Sequence, residues 1–187
     1  MGEASEPKLK KYHMTAAREA ALWAWGPDGV EEIGRHMPER ERGEIFAEVL
    51  PPWIPERAVI ALGFGVWNGP AKHSKTEYFR FLHKTTDLSF GRVRKALVGA
   101  LASPEKVLTM ADEIWKSDHT HGSWETHVAA NRARMRLTGH PYADTPHGRT
   151  SLGEQIRYIV SLTRAREVTA SHGQVAPGSM EITLRWK

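Results

Sequence analysis

From Ser179 to the last residue the chain alternates without a break: Met180, Ile182, Leu184 and Trp186 on one side, Glu181, Thr183, Arg185 and Lys187 on the other. A period of two is what a strand buried on one face requires. The chain therefore ends on a sheet with one wet face. Upstream of Gly122 the apolar spacing is helical instead, and this switch of period defines the fold class. The expected fold is α+β, an N-terminal helical region packed on a small, mainly antiparallel C-terminal sheet. At 187 residues and 40% hydrophobic content there is material for one sizeable core. The expected layout is a flexible tail at 1–11 and a single domain at 12–187, helical over 12–121 and sheet-bearing over 122–187.

A first helix is expected from a Thr15 cap through Ala16, Ala17, Ala20, Ala21 and Leu22 to Trp25, where Gly26-Pro27 stops it. Asp28 caps the next, built on Val30 and Ile33, and Ile45, Phe46, Val49 and Leu50 mark a third. Pro51-Pro52-Trp53-Ile54-Pro55 forms a stiff corner from which Trp53 and Ile54 plug the core. Helices follow from Glu56 to Val66 and from Ser74 onward, the latter turning Tyr78, Phe79, Phe81 and Leu82 inward and continuing through Val93, Leu97, Val98 and Leu101. Ser103-Pro104-Glu105 is a helix start that runs on to end by Gly122. Strands are expected at Trp124–Ala129 and Arg132–Thr138, either as a hairpin across Ala130-Asn131 or as one long bent strand. A loop spans 140–149, a helix 152–162, and the last strands are 167–171 and 179–186, joined through Gly173 to Gly178.

The chain has no cysteine, which excludes disulfides and thiolate metal sites and makes a reducing cytoplasm the simplest location. The polar amino terminus lacks a signal-peptide core, and the apolar run Val59–Val66 is too short to span a bilayer, so no membrane association is expected. The net charge of +4 is uneven: residues 1–50 hold seven Lys/Arg against ten Asp/Glu, residues 51–100 eight against three. Such asymmetry suits pairing within the fold or with a partner.

Three constellations carry chemistry. Asp118, His119, His121 and His127 offer a carboxylate and imidazoles, the ordinary ligands of zinc, nickel or iron, and would make a metal-dependent enzyme the alternative function. Arg132, Arg134 and Arg136 share one strand face, and Arg185 on a neighbouring strand would complete a platform for nucleic acid or an acidic partner. Against the nucleic-acid version, the face lacks aromatic residues for base stacking, and Glu125 and Glu181 can neutralise part of it. Seven tryptophans suit core packing and also an apolar pocket, with Phe79, Trp115, Trp124 and Tyr158 as lining candidates where helices meet sheet. No nucleophile elbow, phosphate loop or His-Glu-x-x-His motif is present, no catalytic residue is assigned, and the enzyme reading ranks below binding.

Across nearly its whole length the chain resembles the ligand-sensor-type domains that occur as many paralogues in myxobacteria, which are themselves similar to vinyl-reductase-type and haem-nitric-oxide-binding domains. The likeness is carried by Gly29-Val30-Glu31-Glu32-Ile33, Leu50-Pro51-Pro52-Trp53-Ile54-Pro55, Gly91-Arg92-Val93-Arg94-Lys95, Ser103-Pro104-Glu105-Lys106-Val107-Leu108, Trp115 before Gly122, and Leu184-Arg185-Trp186. It implies helices on an antiparallel sheet, a non-catalytic regulatory role, binding of an apolar small molecule or a protein partner, and a homodimer. Two departures stand out. The C-terminal cysteines common in vinyl-reductase-type domains are missing, and the Tyr-x-Ser-x-Arg clamp of haem-nitric-oxide-binding domains is replaced by the wider Tyr158, Ser161, Arg164. No cofactor is required by the sequence; haem and a divalent metal both stay open.

Overall fold

The computed structural model describes residues 6–101 and 103–187, with side chains described for all of these except 92–101. The chain is α+β. Its C-terminal sheet has four antiparallel strands in the order β3-β4-β6-β5, with β3 at Ser123–Ala129, β4 at Arg132–Thr138, β5 at Thr169–Ala176 and β6 at Ser179–Arg185. The alternation read from the sequence sets its faces. Ala133, Met135, Leu137, Met180, Ile182 and Leu184 are buried, while Arg132, Arg134, Arg136 and Arg185 are exposed. Helices α5 (Pro104–Thr109), α6 (Ala111–Asp118) and α7 (Pro146–Ser161) cover the apolar face through Leu108, Trp115, Leu152, Ile156 and Val160.

A second core lies among the N-terminal helices α1 (Lys11–Arg35), α2 (Glu39–Ile45), α3 (Glu56–Asn68) and α4 (Lys75–Leu101). Met14, Ala17, Ala20, Ala21, Ile33, Ile45, Ile54, Ala58, Val66, Tyr78 and Phe81 fill it. The alanines of α1 are what let α4 lie close against it. Between α4 and α7 the contact is polar: the Tyr78 hydroxyl bonds His147 Nε2 and Ser151 Oγ at 2.7 Å each, His83 bonds Glu154 at 2.6 Å, and Tyr158 donates to Asp87 at 2.9 Å. Arg57 gathers Glu6, Glu41 and Glu44 at 2.6, 2.7 and 2.5 Å, tying the amino-terminal segment and α2 to α3.

The break expected at Gly26-Pro27 is there as a kink. Gly26 takes φ +68°, and Pro27 starts the second half of α1. No heavy atom lies near a Cβ built on Gly26, so the backbone angle alone constrains this position. Gly26→Ala should lower stability by about 2 to 3 kcal/mol, read from the urea midpoint, because φ +68° with ψ −172° is a backbone region essentially confined to glycine.

Several expectations are corrected. Residues 8–10 are not tail: Lys8–Lys10 form β1, which pairs antiparallel with β2 (Trp53–Pro55), and Leu9 is buried. Three residues are too few to show a period, and the proline corner serves as an edge strand, where missing amide donors cost nothing. Ile54 plugs the core, whereas Trp53 is 37% exposed. Thr15 lies inside α1, its hydroxyl bonded back to Lys11 O. The helix after Ser103 is two, broken at Met110, although Ser103 does cap α5 through the Lys106 amide. The expected loop at 140–149 contains a 3-10 turn (Pro141–Asp144) and the first turn of α7, which Thr145 caps by accepting from Gly148 N at 2.9 Å. Thr145-Pro146 is a cap followed by a first-turn proline, a local start signal for α7 set among the prolines of the loop. α4 continues to Leu101 as expected, and the side chains of Val93, Leu97, Val98 and Leu101 fall outside those described. Among the described residues, no helix is long and apolar enough to cross a membrane.

Candidate functional site

Three segments far apart in sequence meet at the seam between the two cores. The proline corner delivers Glu56 to the first turn of α3, its amide donating to Pro7 O at 2.9 Å and its carboxylate 1% exposed. At the end of α6 the chain extends through His119, which bridges Leu9, and Thr120, whose amide donates to Lys8 O at 2.9 Å. After β4, Gly139 turns at φ +68° and presents His140, fully buried, as the cap of the 3-10 turn.

Both imidazoles converge on one oxygen. His119 Nδ1 lies 2.6 Å and His140 Nε2 3.2 Å from Glu56 Oε1. The Tyr142 amide donates to His140 Nδ1 at 3.2 Å, so the ring proton sits on Nε2 and points at Glu56. Glu56 Oε2 is buried with no hydrogen-bond partner. Burial alone would raise the Glu56 pKa, but the His119 and His140 hydrogen bonds outweigh it and hold the group down to about 2. Tyr142 faces the same carboxylate; burial and that charge push its phenol well up, so it stays protonated.

Rings fix the imidazoles in place. Trp115 stacks on His119 at 3.6 Å with an interplanar angle of 2°, and meets His140 edge-on at 4.9 Å. His140 stacks on Tyr142 at 4.8 Å. The Trp115 indole donates to His121 O at 2.8 Å across the turn at Gly122. Gly122 takes φ +82°, and a Cβ there would sit 3.1 Å from Trp115 Nε1 and 3.2 Å from His140.

The four residues read as a metal set do not come together. Asp118 heads its own network, accepting from Tyr12 and Ser117 and flanked by Lys10 and His13 at 3.7 and 3.5 Å. Burial works against its charge, yet these partners keep its carboxyl far below the usual range. His121 bonds Thr120 at 2.9 Å, and His127 lies exposed on β3 beside Glu125 at 3.0 Å. His119 alone joins Glu56 and His140, and the ligand atoms of these three lie within 4.8 Å of one another. Nothing in sequence singled out Glu56, since an acid in a helix's first turn is ordinary. Gly139-His140-Pro141 at a strand end was the readable hint.

The lining candidates also part company. Trp115 and Trp124 meet edge-on at 5.8 Å beneath the sheet, Phe79 packs on the helical core, and Tyr158 stacks on His83 at 4.1 Å. Two surface grooves of about 440 and 380 Å³ are lined by none of the four. The arginines do share a face. Arg132 stands directly opposite Arg185, a like-charge pair, while Arg134 donates to Glu181 at 2.6 Å and Arg136 faces Glu125 and Glu181 in register.

No family model matches the chain, and no curated protein does. Solved structures do match along the whole length. The Fe(II) unliganded H-NOX protein from K. algicida superposes with a TM-score of 0.64 at 10% identity, covering 96% of this chain and 97% of that one. An oxygen-binding H-NOX domain related to soluble guanylate cyclases gives 0.60 at 12%, covering 96% and 95%. A point mutant of T. tengcongensis H-NOX gives 0.60 at 10%, covering 96% and 98%. The fold is therefore that of these domains, in keeping with the likeness to haem-nitric-oxide-binding domains.

Proposed function

We propose that this chain is a non-catalytic, sensor-type domain that holds a small ligand at the seam between its helical core and its sheet. The observation that carries this reading is Glu56, a buried carboxylate with one oxygen unpaired, flanked by imidazoles from two other segments. A buried polar atom left unsatisfied costs on the order of 1–3 kcal/mol and calls for an occupant. A ligand gripped there would join α3, the α6 end and the β4 exit, and so couple occupancy to how the two cores sit on each other.

The neighbours described as oxygen-binding and as Fe(II) H-NOX raise haem as the first candidate. The described residues do not fit it. The seam is closed by the packed rings of Trp115, His119, His140 and Tyr142. An apolar ligand fits poorly for a related reason, because Phe79 and Tyr158 lie apart from Trp115 and Trp124 and the unpaired atom is an anion. The site chemistry favours something small and cationic or rich in donors.

Native mass spectrometry of the untagged chain, with its visible spectrum, tests this reading. The expected result is a one-to-one adduct without a haem band, whose removal speeds amide exchange at 8–10, 119–122 and 140–142. An adduct-free chain with unchanged protection at those segments sinks it.

A further inference from the structure

We propose that Glu56, His119 and His140 bind a single divalent first-row transition-metal ion. This deepens the seam reading and rests on it. Two imidazoles and a carboxylate suit zinc, iron, nickel or copper, whereas magnesium and calcium prefer all-oxygen sites. Ligand atoms about 2.0–2.2 Å from one ion lie roughly 3 to 3.5 Å apart. Glu56 Oε1 already stands 2.6 Å from His119 Nδ1 and 3.2 Å from His140 Nε2, and the three ligand atoms fall within 4.8 Å of one another.

The unpaired Glu56 Oε2 is the independent observation. It is buried and belongs to the same carboxylate whose other oxygen meets both imidazoles. An ion shared by the carboxylate satisfies it and turns both imidazoles from donors into ligands. Solvent or a small anion beside Tyr142 would complete the coordination shell.

His140 is the weakest of the three ligands. Ligation through Nε2 moves its proton to Nδ1 and gives up the 3.2 Å bond from the Tyr142 amide. His119 makes no such sacrifice, and its ring is held flat against Trp115.

The test uses the full untagged chain, stripped with chelator and titrated with Co²⁺ and then Zn²⁺. One equivalent should bind, and X-ray absorption of the loaded wild type should show two imidazoles and a carboxylate. Glu56→Gln and His119→Asn should each weaken Co²⁺ binding at least about 100-fold, and His140→Asn about 10-fold. His121→Ala and His127→Ala should leave it unchanged, and circular dichroism checks that each variant is folded. The wild-type absorption spectrum stands even if a variant unfolds. No stoichiometric uptake by folded protein, a first shell without histidine, or full affinity in folded Glu56→Gln and His119→Asn would overturn the proposal. An organic adduct at the seam with no metal uptake overturns the ion alone and leaves the sensor reading intact; neither adduct nor uptake removes both.

Discussion

Acidification from about pH 6.5 to about pH 2.5 is expected to strip the metal-free chain of several kcal/mol of stability, most of it below pH 4.5. Glu56 and Glu154 are each held down to about 2 from an ordinary value of 4.5, against the pull of burial, by His119 and His140 in one case and by Arg157 and His83 in the other. Groups with depressed carboxyl pKa values stabilise the fold fully above 4.5 and lose that contribution as the pH drops toward 2. At about 1.4 kcal/mol per pH unit, Glu56 alone accounts for on the order of 3 kcal/mol. His147 acts in the same direction at higher pH. Its burial lowers it from 6.5 to about 4, so between those values the unfolded chain takes up a proton that the folded chain refuses. Urea midpoints at pH 7, 5 and 3, measured with chelator present, should fall in that order with the steeper drop last. Glu56→Gln should start lower at pH 7 and lose less between pH 5 and 3, so that the two curves converge in acid. Parallel curves would remove Glu56 as the anchor of the seam.

β4 and β6 were legible because each obeys one period over several residues, whereas β5, expected at 167–171 with a connection from Gly173, runs Thr169–Ala176 and is exposed along nearly its whole length. Arg132 to Thr138 and Ser179 to Arg185 alternate without exception, and the hairpin turn at Ala130-Asn131 falls between two such runs. The Ser103 cap was legible for a local reason too, since a capping hydroxyl bonds within three residues of itself. Elements whose cause is distant were not. β1 exists because Leu9 and Lys8 find partners at Ile54, Pro55 and Thr120, some 45 to 110 positions away. The site failed in the same manner. Asp118, His119, His121 and His127 are neighbours in sequence, yet an extended segment points successive side chains apart, and His119 found its partners 63 residues upstream and 21 downstream, at Glu56 and His140. The arginine face needed only strand period and pairing order, and it assembled as the alternation implied.

That one-sided sheet makes a sharp prediction about two adjacent residues. Leu137 is fully buried, paired with Trp124 on β3 and Met180 on β6, so Leu137→Ala leaves a cavity between sheet and helices. The expected cost is about 3 to 4 kcal/mol, within the range for buried leucines, and roughly a 10 °C fall in Tm for a chain of this size. Arg136, one residue earlier, is exposed and faces Glu125 and Glu181 in register. Arg136→Ala should stay within about 0.5 kcal/mol of the parent, as surface charge pairs contribute little. The buried change should also reach the seam. Trp124 packs edge-on against Trp115, which stacks on His119, so loosening the sheet core frees the ring that fixes one side of the site. Leu137→Ala is therefore expected to weaken ligand retention at the seam at temperatures where it is still folded, while Arg136→Ala leaves retention unchanged. Equal stability losses at the two positions would mean the strand is not buried on one face alone, and normal retention in folded Leu137→Ala would cut the link between the sheet core and the seam.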